Sequence, residues 1–265
     1  MEIVVCLKEI IDPEIPASQF KIDPVTKRQL QEGHALVIST YDEHALEVAL
    51  KLKEKVGGTV TALCLGAPTA TTALKKALAM GADRAILASD PALPVGDAFG
   101  VAAALAAAIR KGGTFDLVLA GCESGDWASR AVGPLLAEEL AIPCVAYASR
   151  VETAGGGVQV RKVVEDGHEV IEASFPLLVT ITSDESNIPR FPKLKDIMAA
   201  GRKPIPTWTA ADLGLSGGAK GEASRVTVAD LSIPVRESRC EVLDGESPEE
   251  KVDRLVSRLR ELKLL

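Results

Sequence analysis

Through its first 145 residues the chain alternates short β-branched runs with longer segments rich in alanine and leucine. Parallel strands buried on both faces read as near-continuous apolar runs, and each needs a crossover helix to reach the next, so this rhythm points to a doubly wound α/β sheet. The runs predict strands at residues 3–7, 60–65, 84–88 and 116–120. Helices are expected at 43–56, 69–80, 96–111 and from about 129 to 140. The third of these is so rich in alanine that its backbone can approach the sheet closely. Sheets of this kind bind ligands beyond the carboxyl ends of their strands.

From Cys144 the pattern changes to extended runs at 144–151, 158–163, 169–174 and 177–182, with Ala154-Gly-Gly-Gly and Glu165-Asp-Gly as turns. These read as hairpin strands extending a mainly parallel sheet. Pro189, Pro192, Pro204 and Pro206 then restrict regular structure to a short helix near 195–200, in a protruding loop rather than in the core. Ser216-Gly-Gly-Ala-Lys-Gly-Glu reads as a flexible linker. Beyond it, Ser247-Pro-Glu-Glu offers an N-cap and an N1 proline for a terminal helix. Val252, Leu255, Val256, Leu259 and Leu262 fall on one face of that helix, and an apolar face must dock somewhere. The expected organisation is an α/β domain over 1–186, a loop with a short helix over 187–215, and a linker with a helical arm over 216–265.

Composition narrows the function. A 47% hydrophobic content supplies a core, while a net charge of −7 with no lysine- and arginine-rich run argues against nucleic acid or anionic lipid as a partner. No apolar run approaches the roughly 18 residues of a membrane span. Strand-like sequence starts at Glu2, leaving no room for a leader, so a cytoplasmic protein is expected. Five scattered cysteines without a CxxC pair read as thiols, and three isolated histidines form no metal-ligand spacing. No nucleophile elbow or HExxH is present, so a binding scaffold is expected rather than an enzyme with its own bond chemistry.

The most informative segment follows the strand ending at Ala120: Gly121-Cys-Glu-Ser-Gly-Asp-Trp-Ala-Ser-Arg-Ala-Val-Gly-Pro. Small residues let backbone N–H groups approach an anion, Ser129 can cap the helix or donate its hydroxyl, and Arg130 adds a charged donor. It is neither GxGxxG nor a P-loop, so an ordinary strand-to-helix turn remains the alternative. Ser39 and Asp42 sit where helix caps are common, and Cys6 and Leu65 where buried strand ends are common.

In order along the chain, Ile3-Val-Val-Cys-Leu-Lys, Ala45-Leu-Glu-Val-Ala-Leu-Lys-Leu-Lys-Glu, Ala77-Leu-Ala-Met-Gly-Ala-Asp-Arg-Ala and Asp116-Leu-Val-Leu-Ala-Gly precede Asn187-Ile-Pro-Arg-Phe-Pro-Lys-Leu-Lys-Asp-Ile-Met-Ala-Ala-Gly-Arg-Lys-Pro. With these blocks the chain resembles the beta subunits of electron-transfer flavoproteins over nearly its whole length. The resemblance implies an adenine-nucleotide-binding fold carrying AMP or a second FAD, with the redox FAD held mainly by an alpha subunit. It implies a nucleotide site at Cys6, Ser39, Thr40, Tyr41, Asp42 and Leu65, together with Glu123, Ser124, Gly125, Asp126, Trp127, Ala128, Ser129, Arg130, Ala131, Val132, Gly133 and Pro134. Ser39-Thr40 replaces the family's usual Asn-Pro, and Trp127 stands in an otherwise small or acidic slot.

The same resemblance implies electron carriage from a dehydrogenase, such as an acyl-CoA dehydrogenase, to a quinone oxidoreductase or another acceptor. The arm over 216–265 would dock on the alpha subunit. Partner binding would fall to Arg190, Phe191, Leu194, Ile197 and Met198, with Leu194 as an apolar anchor between Lys193 and Lys195. Two alternatives stay open: an electron-bifurcating subunit binding FAD and NADH, and a stand-alone adenine-nucleotide-binding domain, which would not need the segment after Asn187.

Overall fold

The computed structural model describes residues 1–93, 96–215, 225–234 and 240–265. The expected linker at 216–222 lies outside the described residues. By compactness the chain divides into residues 1–229 and 230–265.

The first unit is built on a sheet that opens with β1 (Glu2–Leu7). Two antiparallel ribbons follow, β2 (Glu9–Ile11) with β5 (Leu36–Ile38) and β3 (Ile22–Asp23) with β4 (Arg28–Gln29). Next come α1 (Thr40–Val56), β6 (Thr59–Leu65), α2 (Thr71–Met80), β7 (Arg84–Ala88), α3 (Ala98–Gly112), β8 (Leu117–Gly121) and α4 (Val132–Leu140). The chain continues through β9 (Cys144–Ala154), β10 (Gly157–Val164), β11 (Gly167–Ala173), β12 (Leu177–Ile181), α5 (Leu194–Ala200) and β13 (Thr207–Trp208).

The sheet order is β11-β10-β9-β12-β8-β1-β6-β7-β13. Every neighbouring pair from β9 to β13 in that order is parallel, and β10 and β11 add an antiparallel hairpin at the opposite edge. This is the α/β sheet that the alternating sequence predicts, with β10 and β11 as its hairpin extension; the run at 177–182, expected as a hairpin strand too, is instead β12, parallel to both β9 and β8 and inserted between them. Strand residues point alternately to the two faces, so each strand feeds two cores. Ile3, Val5 and Leu7 pack with Leu46, Val48 and Leu74 of α1 and α2 on one face. Cys6 packs with Leu105, Ile109 and Leu136 of α3 and α4 on the other.

Three local features differ from the sequence reading. The fourth helix begins at Val132, not near Ser129, because Ala128 and Arg130 adopt left-handed backbone (φ 48° and 58°) that no helix can contain. The segment after Asn187 is not wholly a protruding loop: Ala200 of α5 is buried in the first core, and β13 joins the sheet edge beside β7. Pro206 is tolerated there because its carbonyl accepts from the Leu87 N–H at 3.0 Å, while an edge strand needs no donor from a proline.

Candidate functional site

β1 lies between β6 and β8, because the chain winds outward through β6 and β7 and then crosses back to place β8 on the other side. Strand order reverses between β1 and β8, and in a doubly wound sheet the crevice beyond the carboxyl ends at such a reversal receives the ligand. Asp42, in the first turn of α1, spans this point. One carboxylate oxygen accepts the Lys8 N–H just past β1 and the other accepts the Gly121 N–H at the end of β8, both at 2.8 Å. A Cβ on Gly121 would lie 2.6 Å from the Asp42 carboxylate, so only glycine admits this approach. Burial pushes the Asp42 carboxyl up to about 7; the amides of Gly121 and Lys8 pull the other way, and Asp126 adds to the rise. Helix capping, the bland sequence reading of this residue, misses the bridge it makes.

Ser39 precedes α1, yet its hydroxyl makes no cap; it accepts instead from the Gly125 N–H at 3.2 Å. The start of α1, carrying Ser39, Thr40, Tyr41 and Asp42, is thereby joined to the loop after β8. Burial, followed by the neighbouring Cys122 and Glu123, raises the Tyr41 phenol. Within that loop Lys8 Nζ lies 2.7 and 2.6 Å from the two oxygens of Asp126. Arg130 pairs with Glu123, and the Trp127 N–H donates to Asp126 at 2.9 Å. Trp127 is 52% exposed. Ala131, Val132, Gly133 and Pro134 lead into α4, while Ser124 accepts the Ala128 N–H through its carbonyl at 3.0 Å. Ser129 sits between two left-handed residues outside the helix, so it is not the helix cap.

Cys6 and Leu65 reach the same edge from β1 and β6, whose registers pair Cys6 with Leu63 and Leu7 with Cys64. The Cys6 thiol is buried in the sheet and raised well above the ordinary thiol range, first by burial and then by Asp42. Glu9, which the sequence reading did not single out, follows β1 here; one carboxylate oxygen accepts the Thr69 hydroxyl at 2.7 Å and the other is buried without a protein partner among the described residues. A single carboxylate opening a three-residue strand carries no sequence signal that would have marked it.

A second cluster lies at α5 and the turn before it. Phe191 is 95% and Leu194 74% exposed, and Ile188, Ile197 and Met198 are exposed beside them. Arg190 differs from its neighbours: its guanidinium turns inward to Glu47 and Glu54 of α1. Isolated exposed apolar residues are ordinary, but several at one short helix and the turn before it make a candidate interaction surface.

The family model described as "Electron transfer flavoprotein domain" matches residues 28–213. The chain is 39% identical over 263 residues to the electron transfer flavoprotein subunit beta of Thermoanaerobacterium thermosaccharolyticum, covering 98% of each. The chain belongs to the electron-transfer flavoprotein beta-subunit family. Also similar to it are the caffeyl-CoA reductase-Etf complex subunit CarD of Acetobacterium woodii, 37% identical over 263 residues and 98% of each chain, and protein FixA of Azotobacter vinelandii, 35% identical over 261 residues, covering 95% of this chain and 91% of FixA. The family match spans α1, the loop after β8 and α5, while Cys6, Lys8 and Glu9 of the first cluster precede it. No helix among the described residues is long and apolar enough to cross a membrane.

Proposed function

We propose that this chain is the beta subunit of a heterodimeric electron-transfer flavoprotein, working as an electron carrier rather than as an enzyme. It binds an adenine nucleotide, AMP or a second FAD, at the reversal between β1 and β8, and it pairs with an alpha subunit that holds most of the redox FAD. It receives electrons from a dehydrogenase docked through Leu194 and passes them to a quinone oxidoreductase or another acceptor. The observation that carries the docking role is the exposure of Phe191 just before α5 and of Leu194, Ile197 and Met198 on it, while the far end of the helix, Ala200, is buried.

The residues at the sheet edge fit an adenine nucleotide. The exposed loop over Ser124–Ala131 offers small side chains and backbone donors to a phosphate. The buried, unpartnered oxygen of Glu9 offers an acceptor suited to a hydroxyl or amine donor of a nucleoside. The flavin supplies the redox chemistry when bound; this chain's residues bind, orient and present it. Lys8 is held by Asp126 and Arg130 by Glu123, so a phosphate here relies chiefly on backbone amides and the Ser129 hydroxyl.

Truncating a buried leucine anchor costs about 2 kcal/mol of binding, roughly thirtyfold in affinity. The Leu194→Ala complex is therefore expected to keep its flavin, nucleotide and melting temperature while losing reduction by its dehydrogenase at limiting concentrations. Unchanged electron transfer would remove the anchor. For the nucleotide, Ser129→Asp sets a negative charge against bound phosphate, and the nucleotide released on denaturing the complex should fall sharply. Mass spectrometry of that extract identifies AMP or FAD, and full occupancy in the variant would place the phosphate elsewhere.

A further inference from the structure

The exposed docking residues stand on a base built by α1. His44, Glu47, Lys51 and Glu54 recur at spacings of three and four and so lie along one face of that helix. Each holds the segment that leads into α5. His44 Nδ1 lies 2.9 Å from the Asn187 carbonyl oxygen and 2.7 Å from its Oδ1. Asn187 is 1% exposed; its amide nitrogen donates to the carbonyls of Ser149 and Thr182, both at 3.0 Å. Lys51 Nζ donates to the Ser186 carbonyl at 2.6 Å.

Arg190 completes the attachment. Its Nε donates to Glu47 Oε2 at 2.8 Å and one terminal nitrogen to Glu47 Oε1 at 3.0 Å, a two-point fork on one carboxylate. Its backbone N–H also reaches Glu47 Oε2, at 3.2 Å, and the guanidinium spans to Glu54 as well. Glu47 is 2% exposed. A buried carboxylate that lost this partner would stay in the interior uncompensated, so the pair resists opening. Pro189 and Pro192 fix φ on either side of Arg190, which limits how far the chain can swing once the arginine is held.

We propose that Glu47 is a positioning residue for partner docking: the Glu47–Arg190 fork fixes the pose in which Phe191 and Leu194 are offered, and Arg190 acts through Glu47 rather than by touching the partner. This rests on the docking role assigned above to the same segment. A recognition segment held in its bound pose loses less conformational freedom on association, which is where such a clamp contributes. It also leaves the partner-facing surface apolar with lysines at its rim, because the arginine charge is used internally.

The test is a double-mutant cycle in the assembled flavin-containing complex, using Glu47→Gln, Arg190→Gln and both together. Hydrogen exchange of the amides over 188–198 and KM with the dehydrogenase that reduces the wild-type complex are the two readouts. Each single variant is expected to speed exchange by about tenfold or more and raise KM with kcat unchanged, and the double variant to do no more than either single one. If Arg190→Gln raises KM as much in the Glu47→Gln background as in the wild type, Arg190 contacts the partner directly and the proposal fails. Unaltered exchange in both single variants would overturn it as well. Leu194→Ala separates the docking role from the clamp: it should raise KM without altering exchange, and an unchanged KM there with faster exchange in the Glu47 variant would sink the docking role while leaving the clamp. Should Glu47→Gln fail to fold, the exposed Glu54→Gln is expected to shift both readouts the same way by a smaller factor.

Discussion

Asp42 is a single carboxylate on which two strand ends and one helix converge. Its pKa rises from the unfolded value of 3.8 to about 7, with burial as the leading cause. The folded form therefore binds this proton more tightly than the unfolded chain, so the group's contribution is fully present below about pH 4 and is lost as pH rises through about 7. The expected result is a melting temperature that declines between pH 4 and pH 7, with Asp42→Asn flattening that slope. Asparagine accepts from one amide and turns an NH2 toward the other, so the variant also carries an offset that is constant in pH. Thermal unfolding of wild type and variant in parallel buffers separates the slope, which belongs to the carboxyl, from the offset, which belongs to the lost hydrogen bond. A wild-type and variant pair with equal slopes would show that the carboxyl titrates in its ordinary range.

Elements pack closely where α4 leaves the candidate loop. A Cβ on Gly133 would lie 2.3 Å from Thr180 Cγ2 of β12, so α4 must lift off the sheet to accommodate one. Gly133→Ala is expected to cost about 1–3 kcal/mol, measured by denaturant unfolding of the complex, because overpacking forces side chains or backbone to shift. The same helix shows how far the sequence alone could be read. Its body from Val132 to Leu140 is an apolar repeat and was legible; its start was not, because Ala128 and Arg130 carry no residue-type signal for left-handed backbone. The parallel strands were legible because both of their faces are buried, whereas β3 and β4 are a two-residue local ribbon too short to show a period, and β13 depends on β7, a partner distant in sequence. The site divides likewise. The strand before Gly121 suggested where to look for a candidate site, whereas the contacts of Asp42, Glu9 and Arg190 were not legible, because each depends on groups that the fold brings near it from distant segments.

At the scale of the whole molecule, the unit over residues 230–265 carries a single helix among its described residues, α6 (Pro248–Glu261). Ser247 caps it through the Glu250 N–H at 3.2 Å, acidic residues open it and arginines close it, so it is consistent with its own dipole. Its other face is not consistent with water: Val252, Leu255 and Leu262 are exposed, and no residue of the helix is buried. An amphipathic helix of this length gains most of its stability from packing that face, since helices shorter than about 12–15 residues are marginal alone. We expect the face to be covered in the heterodimer by the alpha subunit, matching the arm expected from the sequence. Replacing Val252 and Leu255 together by aspartate places two charges in that interface, where an unpaired buried charge costs several kcal/mol. Co-expression with the alpha subunit should then yield little of the 1:1 flavin-containing complex, while thermal unfolding of the beta chain alone, dominated by the sheet of residues 1–229, should be unchanged. A complex that assembles in normal yield would show that the alpha subunit does not use this face. A lowered melting temperature of the isolated chain would show that the helix packs on its own sheet instead.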